Sequence, residues 1–291
     1  MKKTIILGLG IWLLEMAVLA AGTSFDPSRN SLAARQVGLG GLSLLFADDA
    51  NGAFANPAGL TNLEFPQLLA AARKQMLDET QYSLLEWALP TTWGTFGLGY
   101  TAMSISGSLP TALDPATGRI MIDPSREAIA YSNSVLGLAY ARDVRPNLSL
   151  GGMLKFFNQS FSGSLTSRGT GNSLDLSAKY TPLSWLALGA NLQNVLGGTL
   201  QWQGGGSDKI GGYYKFGGKV NLLGATAEAY KYYPQDLLGG LDLDLPHDSL
   251  AGSDYHLGAE YYPQKNLALR AGLSGSGLSL GIGMTNSGFR F

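Results

Sequence analysis

SLDLSAKY, residues 173–180, places Leu174, Leu176, Ala178 and Tyr180 on one side of an extended chain and Ser173, Asp175, Ser177 and Lys179 on the other, because successive strand side chains point to opposite faces. One face suits lipid and the other a polar lumen. The parity returns in 186–193, where leucines oppose Gly189, Asn191 and Gln193, and in 237–245, where they oppose Asp242 and Asp244. In 254–261, Tyr255, Leu257, Ala259 and Tyr261 oppose Asp254, His256 and Glu260. A soluble sandwich shows such alternation in a few strands. Its repetition from about residue 67 to Phe291, with large apolar faces, predicts an all-β fold, a transmembrane antiparallel β-barrel.

Alternation and turn residues together predict strands at 68–73, 81–90, 95–106, 127–143, 148–159, 173–180, 186–194, 213–222, 237–245, 254–262, 267–274 and 278–284, with a stub at 288–291. Single-chain bacterial barrels close with an even number, so about 14 strands are expected. Residues 226–232 supply either the missing strand or a loop helix. The stub is far shorter than the ~9–11 residues of a spanning strand, and the sequence is expected to stop inside an incomplete last strand. Residues 107–126 and 197–212, rich in proline and glycine respectively, read as long loops outside the membrane.

The amino terminus sets the compartment. Lys2 and Lys3 precede the apolar run 5–19, and the small residues Ala20, Ala21 and Gly22 follow, the order of a secretory signal peptide over residues 1–21. A retained membrane anchor is the alternative, but the run is shorter than the ~20 residues of a span. Only 14% of residues are charged, against ~25% in an average soluble domain. No later apolar run reaches ~18 residues, which would let the chain pass the inner membrane to the bacterial outer membrane. A net charge of -1 offers no basic patch for nucleic acid. The absence of Cys excludes disulfides and thiol catalysis, and with His247 and His256 as the only histidines no His-rich metal site is expected; no cofactor is implied.

Residues 22–66 do not alternate. They contain ARQVGLGGLSLLFADDANGAFANPAGL, Ala34 to Leu60: a glycine-rich approach, an Ala-Asp-Asp-Ala core and Asn-Pro-Ala-Gly-Leu. This resembles the amino-terminal signature of the PorV/PorQ outer-membrane family, relatives of the FadL-type long-chain fatty-acid transporters. NLSLGGMLKFFNQSFSG (147–163), SLDLSAKYTPLSWLALGANLQNVLGG (173–198) and YHLGAEYYPQKNLALRAGL (255–273) resemble that family's middle and late barrel. The resemblance implies a FadL-like barrel over 67–291 and a hatch or plug over 22–66.

Candidate residues follow from both readings. In the hatch, Asp48 and Asp49 are candidates for cation binding or gating, against the plainer role of capping a helix starting near Ala50. Asn56, Pro57 and Gly59 form a turn on which a gate could hinge. On the lumen parity Glu86, Lys155, Asp175, Lys179, Glu260 and Arg270, with Asp242 and Asp244, either line a selectivity path or pair with one another and with the hatch. Gly277-Leu278-Ser279-Leu280-Gly281 matches a nucleophile elbow by letter only, since it lies inside an alternating strand, and no catalytic residue is expected. Aromatics near segment ends, among them Trp87, Trp93, Tyr180, Trp185, Tyr213 and Tyr214, read as girdle residues.

Two functions remain open, beside a third possibility of a simple structural barrel. The resemblance implies uptake or passage of hydrophobic small molecules through the outer membrane; the alternative is a PorV-like component of type IX protein secretion or surface attachment, with secretion-system proteins as partners. The inward parity offers few greasy residues for a ligand, Met103, Met153 and Phe157, and the hatch could add Leu42, Leu44, Leu45 and Phe54.

Overall fold

The twelve strands and the stub read from the sequence all have counterparts in the computed structural model, which describes residues 22–29, 31–74, 80–108, 111–123, 125–228, 230, 234–247, 252–286 and 289–290. In chain order they are β1 (Gln67–Lys74), β2 (Gln81–Thr91), β3 (Gly94–Ser108), β4 (Ile129–Arg145), β5 (Leu148–Ser162), β6 (Ser167–Leu183) and β7 (Leu186–Trp202). There follow β8 (Tyr213–Leu223), β9 (Asp236–Pro246), β10 (Asp254–Gln264), β11 (Leu267–Ser274), β12 (Gly277–Asn286) and the stub β13 (Phe289–Arg290). The expected signal peptide and Phe291 lie outside the described residues.

One fifteen-stranded sheet holds them all, every neighbour in its main path antiparallel and consecutive. Tight turns impose that order. At the β2–β3 hairpin Gly94 takes φ 138 and lies so close to Ala141 O that a Cβ would stand 2.5 Å away, so no other residue fits. The sheet's two ends, β1 and β13, are not hydrogen-bonded to each other among the described residues. Side chains there are correspondingly bare: Leu68, Leu278, Leu280 and Ile282 are 70–75% exposed, whereas Leu176, Leu188 and Leu257 inside the sheet are 44–50% exposed.

The two faces differ as the parity demands. Leucines, tyrosines and phenylalanines such as Leu85, Leu98, Leu138, Leu154, Phe156, Phe216 and Leu243 cover the outer face, an apolar belt far larger than soluble proteins leave open. The opposite face holds the polar parity, and much of it is buried where the described residues of 25–63 pack against it. That segment contains two short helices, α1 (Ala34–Gly38) and α2 (Gly52–Ala55), and 3-10 turns at Pro27–Arg29 and Pro57–Asn62. It touches strands from both halves of the sheet: α1 meets β11 and β12, while the turn 57–62 meets β2 to β6. Inward glycines make the approach possible. A Cβ at Gly272 would overlap the backbone of Leu39 and Gly40, and one at Gly151 would lie 2.5 Å from Ala58 N.

The long connections need correction. Residues 197–212 are not one loop: β7 runs on to Trp202, the chain turns through Gly205 and Gly206 in the left-handed region, and Ser207–Ile210 pairs back on 199–201 and with Gly22–Ser24. Glycine content hid an alternation that Leu200, fully buried, and Trp202 carry. Residues 107–126 contain an exposed ribbon, Thr111–Leu113 paired with Ile120–Ile122. Of 226–232, the described residues 226–228 and 230 form no strand.

Candidate functional site

Three groups of side chains join residues 25–63 to the inner wall, beside isolated contacts such as that of Asn133 with Phe25 O. The first is built on Lys155 of β5, whose side chain is completely buried. Its Nζ lies 2.7 Å from Asp175 Oδ2 on β6 and 3.0 Å from Asp26 Oδ2 in the segment. Asn194 completes the group. It takes φ 57 at an irregularity in the β6–β7 register, which aims its amide inward; its N–H donates to Asp175 Oδ1 (2.8 Å) and its Nδ2 to Asp26 Oδ2 (2.9 Å). Two buried carboxylates around one ammonium are tolerable because further donors satisfy their lone pairs.

The second group is centred on Arg35 of α1. Its guanidinium spans Glu260 on β10, with Nε 3.0 Å from Oε1 and Nη2 2.6 Å from Oε2, and its Nη1 donates to Phe46 O (2.9 Å) and to Asp48 Oδ1. Glu260 also accepts from Arg270 Nε at 2.7 Å, its direct cross-strand neighbour on β11. Lys219 Nζ stands 3.6 Å from the other oxygen of Asp48. Burial would depress the Arg35 pKa, but the charges of Asp48 and Glu260 outweigh it and hold the guanidinium well above its ordinary value, so it stays charged.

In the third group the wall satisfies the ends of the segment's short helices, whose terminal N–H and C=O groups have no internal partner. Glu86 Oε1 accepts the Phe54 N–H at 3.2 Å, Ser177 Oγ accepts the Ala58 N–H at 2.9 Å, and Asn191 Nδ2 donates to Ala55 O at 2.9 Å. Asp242 Oδ2 accepts the N–H groups of both Ser43 and Leu44 at 2.8 Å. Asp244 pairs with Lys215 at 2.9 Å, and His256 Nδ1 meets Gly40 O at 2.8 Å.

The charged residues expected on the lumen parity are all buried or half-buried on the sheet face that packs against this segment. Glu86, Lys155, Asp175, Glu260 and Arg270 touch the segment or one another, and Lys179 donates to Thr61 Oγ1 (3.0 Å) and Asn62 Oδ1 (2.6 Å). Asp48 and Asp49 part company. Asp48 faces Arg35 and Lys219, while Asp49 Oδ1 accepts the Asn51 N–H at 3.1 Å just before α2, whose first turn begins where the Ala53 N–H bonds Ala50 O, near the helix start expected from the sequence. Asn56 Nδ2 holds Leu44 O at 2.6 Å, Pro57 opens the next 3-10 turn, and Gly59 abuts Ala47 O, where a Cβ would come within 2.6 Å. Tyr213 is not a girdle residue: it is buried, under the guanidinium of Arg29 at 3.5 Å. Asp26, Arg35 and Asn194 were absent from the sequence-based candidates; the break in alternation after Gln193 was the available sign of Asn194.

Two apolar clusters lie between these groups. Phe54, Leu60 and Leu32 of the segment pack on Leu84, Val135, Ala139, Met153 and Phe157 of the wall, and Leu39, Leu42 and Phe46 pack on Leu238. A void of about 10 Å³ beside Phe54 has room for about one water. Larger cavities open at either end, about 270 Å³ around Arg29, Lys215 and His256, and about 180 Å³ around Lys179, Lys219 and Trp185.

Asp26 gives the first attachment a pH limit. Burial pushes its pKa up, but the Lys155 charge and hydrogen bonds from Ser28 and Asn194 prevail and hold it below the ordinary 3.8. A carboxyl depressed in this way contributes stability that is complete above its unfolded value and is lost as pH falls through the folded one. Residues 22–29 are expected to resist pepsin at about pH 4 and to become cleavable as pH falls below 3.8. Cleavage independent of pH from about 5 to 2 would contradict this.

No protein-family model matches the sequence, and no curated protein sequence matches it. Among solved structures, the chain is similar to a FadL homologue from Pseudomonas aeruginosa, with a TM-score of 0.51 at 10% identity, over 83% of this chain and 79% of that one. CdiB from Acinetobacter baumannii gives 0.44 at 10% identity over 77% and 48%, and the CymD monoaromatic hydrocarbon channel 0.42 at 12% over 86% and 93%. Those two scores are too low to weigh. What the first likeness establishes is the fold: a large antiparallel all-β sheet of the FadL type.

Proposed function

We propose that the chain is a FadL-like channel of the bacterial outer membrane, whose N-terminal segment is the hatch of a β-barrel and whose cargo is a hydrophobic small molecule. No catalytic role is assigned. One observation carries the reading: residues 25–63 occupy the inner space through side-chain contacts rather than as part of the main strand path, so they can shift without unpairing the wall. The apolar outer face supplies the membrane contact. Movement of Phe54 and Leu60 would uncover Met153, Phe157, Val135 and Leu84, an apolar patch midway along the lumen. The resemblance of Ala34 to Leu60 to the PorV/PorQ signature agrees with a hatch.

Cells producing the protein are expected to take up the hydrophobic dye N-phenylnaphthylamine faster than cells lacking it. Arg35→Gln, which loosens the segment from Glu260, is expected to raise the rate further. Equal uptake by producing and non-producing cells would contradict the transport reading.

A second reading, attachment of secreted proteins, rests on the ribbon 111–122, where Leu113, Ile120, Met121 and Ile122 are exposed. Under it, replacing these four by Ser would abolish surface retention of a partner and leave dye uptake unchanged.

A further inference from the structure

We infer that the cavity at the short-turn end of the sheet is a binding site for a small oxyanion, a phosphate or carboxylate group held between Lys179 and Lys219. The inference stands whether or not the chain transports hydrophobic molecules. Lys179 of β6 and Lys219 of β8 flank the same strand: Lys179 pairs with Gly189 and Lys219 with Ala187 of β7. Gly189 and Ala187 lie two residues apart along β7, so across two inter-strand spacings of ~4.8 Å and a rise of ~7 Å the two lysine backbones stand about 12 Å apart. Small inward residues between them leave a gap that two lysine side chains can reach across.

That gap is the cavity of about 180 Å³, bounded also by Asn62, Thr181, Trp185 and Asn221, and among the described residues no carboxylate lines it. The cavity at the opposite end, by contrast, includes Asp244 and Asp254 beside its cations. Lys179 donates only to the neutral oxygens of Thr61 and Asn62 and makes no ion pair among the described residues. Lys219 has Asp48 at 3.6 Å, but Asp48 is already shared with Arg35. Arg35 and Arg270 in turn divide Glu260 between them.

Among the described residues, Lys179, Lys219, Arg35 and Arg270 thus bring more positive charge to this part of the lumen than Asp48 and Glu260 offset. Asp143 offsets part of the surplus from the neighbouring turn, where it accepts Ser149 Oγ at 2.6 Å. An anion between the lysines completes the balance, with ammonium groups as charged donors and the indole of Trp185 as an apolar wall for whatever carries it.

Calorimetric titration of the folded full chain in detergent, with sodium phosphate and separately with sodium benzoate, tests this. Saturable binding of at least one is expected, with affinity falling about tenfold in Lys179→Gln and in Lys219→Gln and retained in the corresponding Arg variants. Phosphate alone would show that charge density is read; benzoate alone would show that Trp185 contributes. If the Gln variants do not fold, the wild-type chain still decides, because binding must weaken as NaCl rises from ~50 to ~500 mM. No saturable binding of either anion, salt-independent binding, or unchanged affinity in folded Gln variants would overturn the assignment.

Discussion

Lys155→Met is expected to destabilise the folded protein by about 3–5 kcal/mol. The substitution keeps most of the aliphatic stem but removes the ammonium that stands 3.0 Å from Asp26 and 2.7 Å from Asp175. Two carboxylates would remain side by side in a site closed to water, and breaking a buried pair from one side is worse than replacing it whole. The midpoint of urea unfolding, followed by the heat-modifiable band on gels, reads the effect. Adding Asp175→Asn to Lys155→Met should recover part of the loss, since the residues are coupled. Strictly additive losses would show that the three side chains do not act together.

An arginine on the outer face should act differently. Leu176, Leu188 and Leu257 point outward, and replacing whichever lies at the bilayer midplane by Arg is expected to cost about 2–4 kcal/mol. Ser177 and Asn191, on the polar parity, would be tolerant controls if that face were bare. They are not, because Ser177 Oγ and Asn191 Nδ2 hold the backbone of Ala58 and Ala55. Asn191→Arg should leave the sheet folded in the bilayer while making residues 22–63 sensitive to protease. Leu257→Arg should reduce the folded fraction and leave the segment protected in the molecules that fold. Identical outcomes for the two would mean that the faces are assigned wrongly.

The contrast shows what alternation can and cannot tell. Parity of two placed Glu86, Lys155, Asp175, Glu260 and Arg270 on the inner face, because a one-residue slip would turn every leucine of those strands inward. It could not name their partners. Lys155 meets Asp26 across 129 residues and Arg35 meets Glu260 across 225, and the segment that supplies Asp26 and Arg35 has no period from which a face could be read. Strand lengths were underestimated where the pattern fails for local reasons: β6 begins at Ser167 amid glycines, and β7 continues past the bulge at Asn194 to Trp202. Tyr213 lies near a strand end as girdle aromatics do, but it shares the parity of Lys215, which is buried on the same side, and parity decides its place. The glycine excess has a cause besides turns, since Gly151, Gly189, Gly240 and Gly272 give the segment room against the wall.

Single-channel conductance in a planar bilayer, compared between the intact protein and a form lacking residues 22–63, tests most directly whether this segment plugs a barrel. If the segment is a plug, the intact protein should conduct weakly, because Phe54, Leu60, Leu39 and Phe46 pack against the sheet's inner face and leave a void of only about 10 Å³ beside Phe54. The shortened form, folded by the heat-modifiability criterion, should open large, steady channels, its inner charges now hydrated. Equal conductance from the two would contradict the plug, and with it the gated passage of molecules through this protein.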